Sequence, residues 1–185
     1  MGHASRDAGK EFEARIDNAL AVGMQTGVVV WYAHQQPTVT MFGKRIAKSG
    51  ADYVLALAGG TAGAIECKSA VPKKNDAHRI GLDAFTGKQK DHLDATARSG
   101  GLALAALEYR DPRSGVVRAF IVPWQLVPWK KLTSRHVVEL EDIDARWTMP
   151  TTGTIAAYVK KCVGCARYYP AHAPFAACCS GGPPF

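Results

Sequence analysis

The order of apolar and polar positions predicts helices and strands that alternate along the chain. Apolar residues recur at helical spacing between Phe12 and Leu20, which predicts a first helix over residues 8–22. The run GVVVWYAH is rich in β-branched and aromatic residues and predicts a strand. KQKDHLDATARSGG predicts a helix over residues 86–99, and TIAAYVKKC predicts one more helix near the end. LALAALEY and VVRAFIVPW predict two strands that extend the same sheet.

A β-hairpin is predicted for DYVLALAGGTAGAIECKSA, where two apolar runs are joined by residues 59–61. If these three residues form the loop, Val54 lies opposite Glu66 and Asp52 lies opposite Lys68. Directly opposed residues share a face of the sheet. The predicted register therefore brings all three charged side chains together on one face.

Two charges within GAIECKSA need an explanation, because burying an unpaired charge is costly. One interpretation is a cross-strand salt bridge of Glu66 or Asp52 with Lys68 on a solvated face. The other is a catalytic site in which the carboxylates hold Mg²⁺, with the backbone carbonyl of Cys67 as a further ligand. Lys68 would then orient the attacking water, help to deprotonate it, or stabilise the charge that develops on phosphorus.

The net charge changes the expected partner. The chain has 185 residues, which fits one domain, and carries a formal charge of +7 with a pI of about 9.3. A basic chain favours polyanions such as nucleic acid. A basic surface without any role in nucleic-acid binding is the alternative, and charge does not decide between the two.

The cysteines and the amino terminus predict the compartment. The chain has five cysteines, an odd number, and one of them lies beside the charged strand face, so we expect reduced thiols. No apolar run is long enough to span a bilayer, and the first twenty residues carry charges where a secretory signal has its apolar region. We therefore expect a cytoplasmic protein with no membrane partner.

Six segments resemble, in order and spacing, the RecU-type Holliday-junction resolvases, a branch of the restriction-endonuclease-like nucleases. The segments are GKEFE, HQQPTVT, GADY, AIECK, FTGKQKDHLDATARSGGLALAAL and AFIVPWQLV, and together they cover roughly residues 9–128. The resemblance implies an α/β fold with an α/β/α core, in which helices flank a mixed β-sheet. It also implies a homodimer that depends on Mg²⁺, or on Mn²⁺ as a substitute, and that nicks two opposed strands of a four-way DNA junction in recombination and repair.

The same resemblance assigns roles to individual residues. It implies that Asp52, Glu66 and Lys68 are catalytic, and that Glu13 of GKEFE completes the metal site. Gln89 of GKQKDHL matches a glutamine near the scissile phosphate. Without the resemblance, Glu13 is expected to be an ordinary solvated helix residue. Gln89 and Lys88 are then expected either to decorate an exposed helix face or to contact phosphate.

The interval between the first strand and the hairpin departs from the family pattern. Better-known members carry a long basic stalk there, whereas this chain has only MFGKRIAKSGA. We expect Lys44, Arg45 and Lys48 of this interval, together with Lys88, to contact DNA phosphates, the alternative for the loop being a solubilising turn. The short interval keeps two other functions open: a nuclease that acts on flaps, ends or linear duplex, and a DNA-binding protein without catalysis.

The last part of the chain is predicted to form a separate unit. We divide the chain into a nuclease domain over residues 1–150 and a carboxyl-terminal helix with a cysteine-rich tail over residues 151–185. The tail supplies enough soft ligands for a Zn²⁺ site, namely Cys162, Cys165 and Cys178. An unstructured reduced tail is the alternative.

The aromatic and histidine residues are given no catalytic role. Trp124 and Trp129 are expected to pack in the core rather than to stack on bases. His34, His78 and His92 are not at metal-ligand spacing and are assigned turn or surface positions.

Overall fold

The structure, a computed structural model, describes most of the chain in seven segments. These are residues 3–35, 50–70, 79–110, 115–132, 134–149, 155–161 and 168–171. Two α-helices lie in them, α1 (His3–Gln25) and α2 (Gly87–Arg98). The strands in these segments are β1 (Val29–His34), β2 (Tyr53–Leu57), β3 (Ala62–Ala70), β4 (Arg79–Gly81), β5 (Leu102–Arg110), β6 (Val117–Pro123), β7 (Lys130–Leu132), β8 (Arg135–Glu139), β9 (Val159–Lys161) and β10 (Tyr168–Pro170).

Five strands form a mixed sheet in the order β1-β2-β3-β5-β6. The central strands β3 and β5 are parallel, and every other neighbouring pair is antiparallel. Helix α1 packs on one side of the sheet, and α2, which lies between β3 and β5 in the chain, packs on the other. The predicted α/β fold, with a mixed sheet flanked by helices, is confirmed.

Each face of the sheet has its own core. Phe12, Ile16 and Leu20 of α1, spaced four residues apart, pack against the face that presents Leu55 and Ile65. The opposite face packs against Phe85 and against Leu93 of α2. Each of these fully buried side chains contributes roughly 1.5–3 kcal/mol to folding. The two layers hold β3 and β5 rigidly in the middle of the molecule.

The β2–β3 hairpin is confirmed, but its loop begins one residue earlier than predicted. Gly59 and Gly60 both adopt a φ of 90°, where a side chain is strained, so they occupy the tightest part of the loop. The N–H of Leu57 donates to the carbonyl of Thr61 at 2.8 Å, which places Thr61 in the strand pairing. The loop is therefore residues 58–60.

This loop position changes the hairpin register by two residues. Val54 pairs with Ala64, not with Glu66 as predicted, and the same register places Asp52 opposite Glu66 instead of Lys68. Side chains alternate with a period of two, so an even shift leaves every residue on its predicted face. The prediction that the three charges share a face is confirmed, whereas the predicted cross-strand partners are wrong.

The tryptophans belong to the core, as predicted. Residues Trp124–Leu126 form a short 3₁₀ helix after β6, and Trp124 is buried. Its ring lies 5.2 Å from that of Phe85 and 5.8 Å from that of Trp129, and its indole N–H donates to Asp94 at 2.6 Å. Strands β4, β8 and β7 form a second sheet in this order.

The helix predicted from TIAAYVKKC is instead one 3₁₀ turn, Ile155–Tyr158, followed by strand β9. Strand β9 pairs with β10, and this pairing takes the backbone groups that a longer helix would have used. Ile155 and Tyr158 are buried in the core beside α1, so the described part of the segment after residue 150 packs on the main sheet. In the described residues, no helix is long and apolar enough to cross a membrane.

Candidate active site

Glu66 is a fully buried carboxylate near the middle of β3, on the face that α2 covers. Three groups donate hydrogen bonds to it. The backbone N–H of Asp52 donates to Oε2 at 3.1 Å, Lys68 Nζ donates to Oε1 at 2.5 Å, and Gln89 Nε2 also donates to Oε1. Four of the predicted site residues are therefore in one connected cluster.

Asp52, which is 5% exposed, is fixed to the neighbouring strand by its own hydrogen bond. The backbone N–H of Cys67 donates to Asp52 Oδ2 at 2.8 Å. The hairpin thus exchanges two backbone-to-carboxylate bonds, from Asp52 to Glu66 and from Cys67 to Asp52. The strand pairing itself positions both carboxylates, so no loop has to move to bring them together.

Gln89 reaches Glu66 because a capping box fixes the first turn of α2. The backbone N–H of Gln89 donates to Thr86 Oγ1 at 3.3 Å, and the backbone N–H of Thr86 donates to Gln89 Oε1 at 2.8 Å. With its carbonyl oxygen committed to the cap, the amide nitrogen of Gln89 points at Glu66. Gln89 is buried, so the exposed-face alternative is wrong for it, whereas its neighbour Lys88 is exposed.

Lys68 forms the ion pair that the salt-bridge interpretation requires, but the pair is not on a solvated face. The Lys68 side chain is 19% exposed and Glu66 has no exposed surface. The ammonium also lies 5.2 Å from the centre of the Phe85 ring. A buried ion pair gains little net stability over an apolar pair, because both charges lose their hydration. Stability alone is therefore a poor explanation for these two residues.

Burial and crowding of charge perturb the acids of the cluster. Burial, together with the negative charge of Asp52, raises the pKa of Glu66 to about 7, and Lys68 opposes this shift. Burial also raises the pKa of the Cys67 thiol, and the charges of Asp52, Glu66 and Glu13 add to that effect. Cys67 forms no disulfide with any described residue, which agrees with the prediction of a reduced cysteine at this position.

Glu13 lies at the same end of the sheet, on the face covered by α1. Its carboxylate Oε2 is 3.3 Å from His34 Nε2, and its backbone carbonyl accepts a hydrogen bond from the Tyr53 hydroxyl at 2.8 Å. Glu13 is about one-third exposed, so it is not a fully solvated helix residue. The sequence interpretation gave His34 no role, because only the β1–β2 register, which pairs His34 with Tyr53, reveals the contact.

The donor set fits a hard cation such as Mg²⁺, which binds oxygen ligands and usually takes one or two carboxylates with water and substrate phosphate. Asp52 and Glu66 are two buried carboxylates close enough that the charge of one raises the pKa of the other. In the described segments no three His, Cys, Asp or Glu side chains form a group that could hold a metal ion. Metal binding by Glu13 and by the carbonyl of Cys67 stays a prediction.

Several predicted site residues are outside the described residues. They are the basic-loop residues Lys44, Arg45 and Lys48 and the tail cysteines Cys162, Cys165 and Cys178. The predictions of DNA contacts and of Zn²⁺ binding at these positions remain open.

A third buried carboxylate, Glu108 on β5, was not predicted from the sequence. It accepts hydrogen bonds from Arg15 at 2.7 Å, Arg110 at 2.6 Å and Ser69 at 3.2 Å. The run LALAALEYR reads as an ordinary buried strand, and one of the two arginines that neutralise Glu108, Arg15, lies 93 residues away. Arg15 and Arg110 also line an open cavity of about 860 Å³, which Glu66 does not line.

No family model matches the chain, and no curated protein matches it. The resemblance to the RecU-type resolvases therefore remains a prediction that rests on the motifs.

Proposed function

We propose that the protein is a metal-dependent endonuclease that hydrolyses phosphodiester bonds of branched DNA, of the RecU Holliday-junction resolvase type. One observation carries the proposal. Glu66 is a buried carboxylate on a central strand, bonded to Lys68, to Gln89 and to the backbone of Asp52. These are the residues that the motifs assign to phosphodiester hydrolysis, and they come from β2, β3 and α2. A structural salt bridge would not need all four.

Asp52 and Glu66 would hold the ion, with the carbonyl of Cys67 and with Glu13 as the further predicted ligands. A bound Mg²⁺ supplies an acidified water and neutralises charge that develops on the phosphate. Because burial and Asp52 raise the pKa of Glu66 to about 7, this carboxylate carries a proton part of the time at neutral pH. Glu66 must lose that proton to act as a ligand, and Lys68 favours the ionised form.

Lys68 and Gln89 position the reacting groups. Lys68 Nζ is held by Glu66 at 2.5 Å, while part of its side chain remains accessible, which leaves ammonium protons for the attacking water or for a phosphate oxygen. Gln89 is fixed by the helix cap and keeps the Glu66 carboxylate in one orientation. The arrangement is preorganised, so little conformational freedom is lost when substrate binds.

The basic composition supports a polyanionic substrate, and the motifs narrow it to a four-way junction. A homodimer would place two such sites on opposed strands of a two-fold symmetric junction. We place the protein in the cytoplasm of a bacterial cell or of a phage-infected host, where recombination intermediates arise.

The test is cleavage of a labelled four-way junction beside linear duplex, flap and single-stranded DNA of matched sequence, at equal salt, with Mg²⁺ or Mn²⁺. Glu66→Ala should abolish cleavage. Glu11→Gln is the control, because Glu11 is exposed on α1 and pairs with Arg110 at 2.5 Å, outside the cluster.

Paired nicks confined to the junction support the full proposal. Equal cleavage of every substrate supports a nuclease without junction selectivity. DNA binding that survives Asp52→Ala, with no cleavage by the wild type, would overturn the enzymatic proposal in favour of a DNA-binding protein.

A further inference from the structure

We propose that His34 is a positioning residue, which holds the Glu13 carboxylate in the orientation that lets it join the metal site. The inference rests on the proposed function, since it concerns the same site. It extends that function to a residue that was given no role from the sequence, the first residue of HQQPTVT, on the edge strand β1 of the sheet.

The imidazole ring is itself rigidly held. His34 pairs with Tyr53 across the β1–β2 ladder, and the two rings stack with centroids 4.6 Å apart and planes 16° from parallel. The Tyr53 hydroxyl donates to the backbone carbonyl of Glu13 at 2.8 Å. One strand pair therefore fixes both the histidine ring and the turn of α1 that carries Glu13.

His34 Nε2 is buried, and in the described residues it has no hydrogen-bond partner. An unsatisfied buried polar atom costs roughly 1–3 kcal/mol, so its presence needs a reason. The Glu13 carboxylate is an acceptor within reach, with Oε2 3.3 Å away but out of hydrogen-bond alignment. Since stacking on Tyr53 fixes the ring, a rotation of the Glu13 side chain is the simplest way to complete the bond.

Completion of that bond leaves the second carboxylate oxygen of Glu13 for the site. Carboxylate ligands in metal sites are commonly oriented by a hydrogen bond to one oxygen, and loss of such a partner typically weakens metal binding 10–100-fold. Once the Glu13 side chain has rotated, Glu13 and His34 would have this arrangement, with Nε2–H as donor. For this role His34 needs neither metal-ligand spacing in the sequence nor a direct bond to the metal.

Two variants distinguish the effect of the Nε2–H donor of His34 from the effect of its aromatic ring. His34→Phe keeps an aromatic ring on Tyr53 and removes the donor, whereas His34→Gln places an amide N–H near the position of Nε2 and loses the stacking. Calorimetric titration of the DNA-free protein with Mn²⁺ should show binding about 10–100-fold weaker for His34→Phe and close to wild type for His34→Gln. On a Glu13→Gln background, His34→Phe should add no further loss.

The cleavage assay gives a second readout, since the Mn²⁺ concentration for half-maximal cleavage should rise in parallel for His34→Phe. Unchanged Mn²⁺ affinity in a folded His34→Phe protein overturns the inference, as does a wild type that binds no Mn²⁺. If the wild type binds Mn²⁺ with the predicted His34 dependence but cuts no DNA, the positioning role stands and the nuclease proposal fails.

A measurement on the unmutated protein covers the case in which His34→Phe does not fold. The ¹⁵N and ¹H resonances of the His34 ring should shift when Mg²⁺ is added, because the bond from Nε2–H to Glu13 forms. The same addition to Glu13→Gln should leave them unchanged. Unshifted resonances in Mg²⁺-saturated wild type contradict the inference.

Discussion

The backbone N–H of Asp52 donates to Glu66 Oε2 at 3.1 Å, across the β2–β3 hairpin. In return, Asp52 Oδ2 accepts from the N–H of Cys67, the residue after Glu66, at 2.8 Å. Each carboxylate is thus fixed by the strand that carries the other. Because strand pairing sets their separation, the two carboxylates repel each other in the metal-free fold whenever both are ionised.

That repulsion predicts that Glu66→Gln stabilises the metal-free protein above neutral pH. The folded-state pKa of Glu66, about 7, is above the ordinary value of 4.5, so the folded chain binds more protons than the unfolded chain between these two values. The contribution of the Glu66 carboxyl to the free energy of unfolding is greatest below pH 4.5 and is lost as the pH rises through 7. Glutamine resembles the protonated form of Glu66 and does not ionise, so Glu66→Gln does not lose stability as the pH rises.

The measurement is urea unfolding at pH 5 and pH 8 in the presence of a chelator. At pH 8, the free energy of unfolding of Glu66→Gln should be higher than that of the wild type by about 1–3 kcal/mol. At pH 5 this difference should be smaller. Excess Mg²⁺ at pH 8 should stabilise the wild type and not the variant. Identical pH dependence of the two proteins would contradict the raised pKa.

The same pKa predicts how cleavage depends on pH. Protons compete with metal for Glu66, so at limiting Mg²⁺ the rate should rise as the pH increases from 6 to 8, with a midpoint near 7. Saturating Mg²⁺ should move that midpoint to lower pH, since metal binding releases the proton. A midpoint that ignores the Mg²⁺ concentration would show that another group controls the profile.

Much of the fold follows from local patterns. The helical spacing of Phe12, Ile16 and Leu20 and the two apolar runs around Gly59 and Gly60 suffice to predict α1 and the hairpin, because both depend on neighbours in sequence. The register did not follow, since a glycine pair fits a loop at 58–60 as well as at 59–61. That choice depends on the Leu57 and Thr61 backbone bond, which sequence does not display.

The site was predictable to the extent that its motif is local. Asp52, Glu66, Lys68 and Gln89 lie in recognisable segments, and the structure brings them together. His34 begins the recognisable segment HQQPTVT, but that segment gives it no role, because its contact with Glu13 joins β1 to α1 through tertiary packing. Single residues of this kind cannot be told from surface histidines before the register is known.

Gln89 and Thr86 allow the structural and catalytic roles of the capping box to be separated. Thr86→Ala removes the cap and should cost about 1 kcal/mol of stability, while the amide of Gln89 still reaches Glu66. Gln89→Leu keeps the bond from the backbone N–H of residue 89 to Thr86 Oγ1, but removes the other half of the capping box and the bond to Glu66 together. It should lose similar stability and, in addition, about tenfold in cleavage rate, the equivalent of one hydrogen bond.

The comparison is made by thermal unfolding and by single-turnover cleavage of the same DNA at saturating metal. If Thr86→Ala loses as much activity as Gln89→Leu, helix stability rather than the contact with Glu66 explains the effect. An active Gln89→Leu would remove Gln89 from the site.

Glu108 tests whether burial of a carboxylate is by itself enough to make a residue catalytic. Like Glu66, it has no exposed surface and lies on a central strand, but two arginines and Ser69 satisfy it. Glu108→Gln should cost about 2 kcal/mol, less than the loss of a fully buried ion pair because Arg15 and Arg110 keep contact with water. Its cleavage rate and its Mg²⁺ dependence should match the wild type at a temperature where both are folded. Loss of cleavage in a folded Glu108→Gln protein would extend the active site through the sheet to the α1 face.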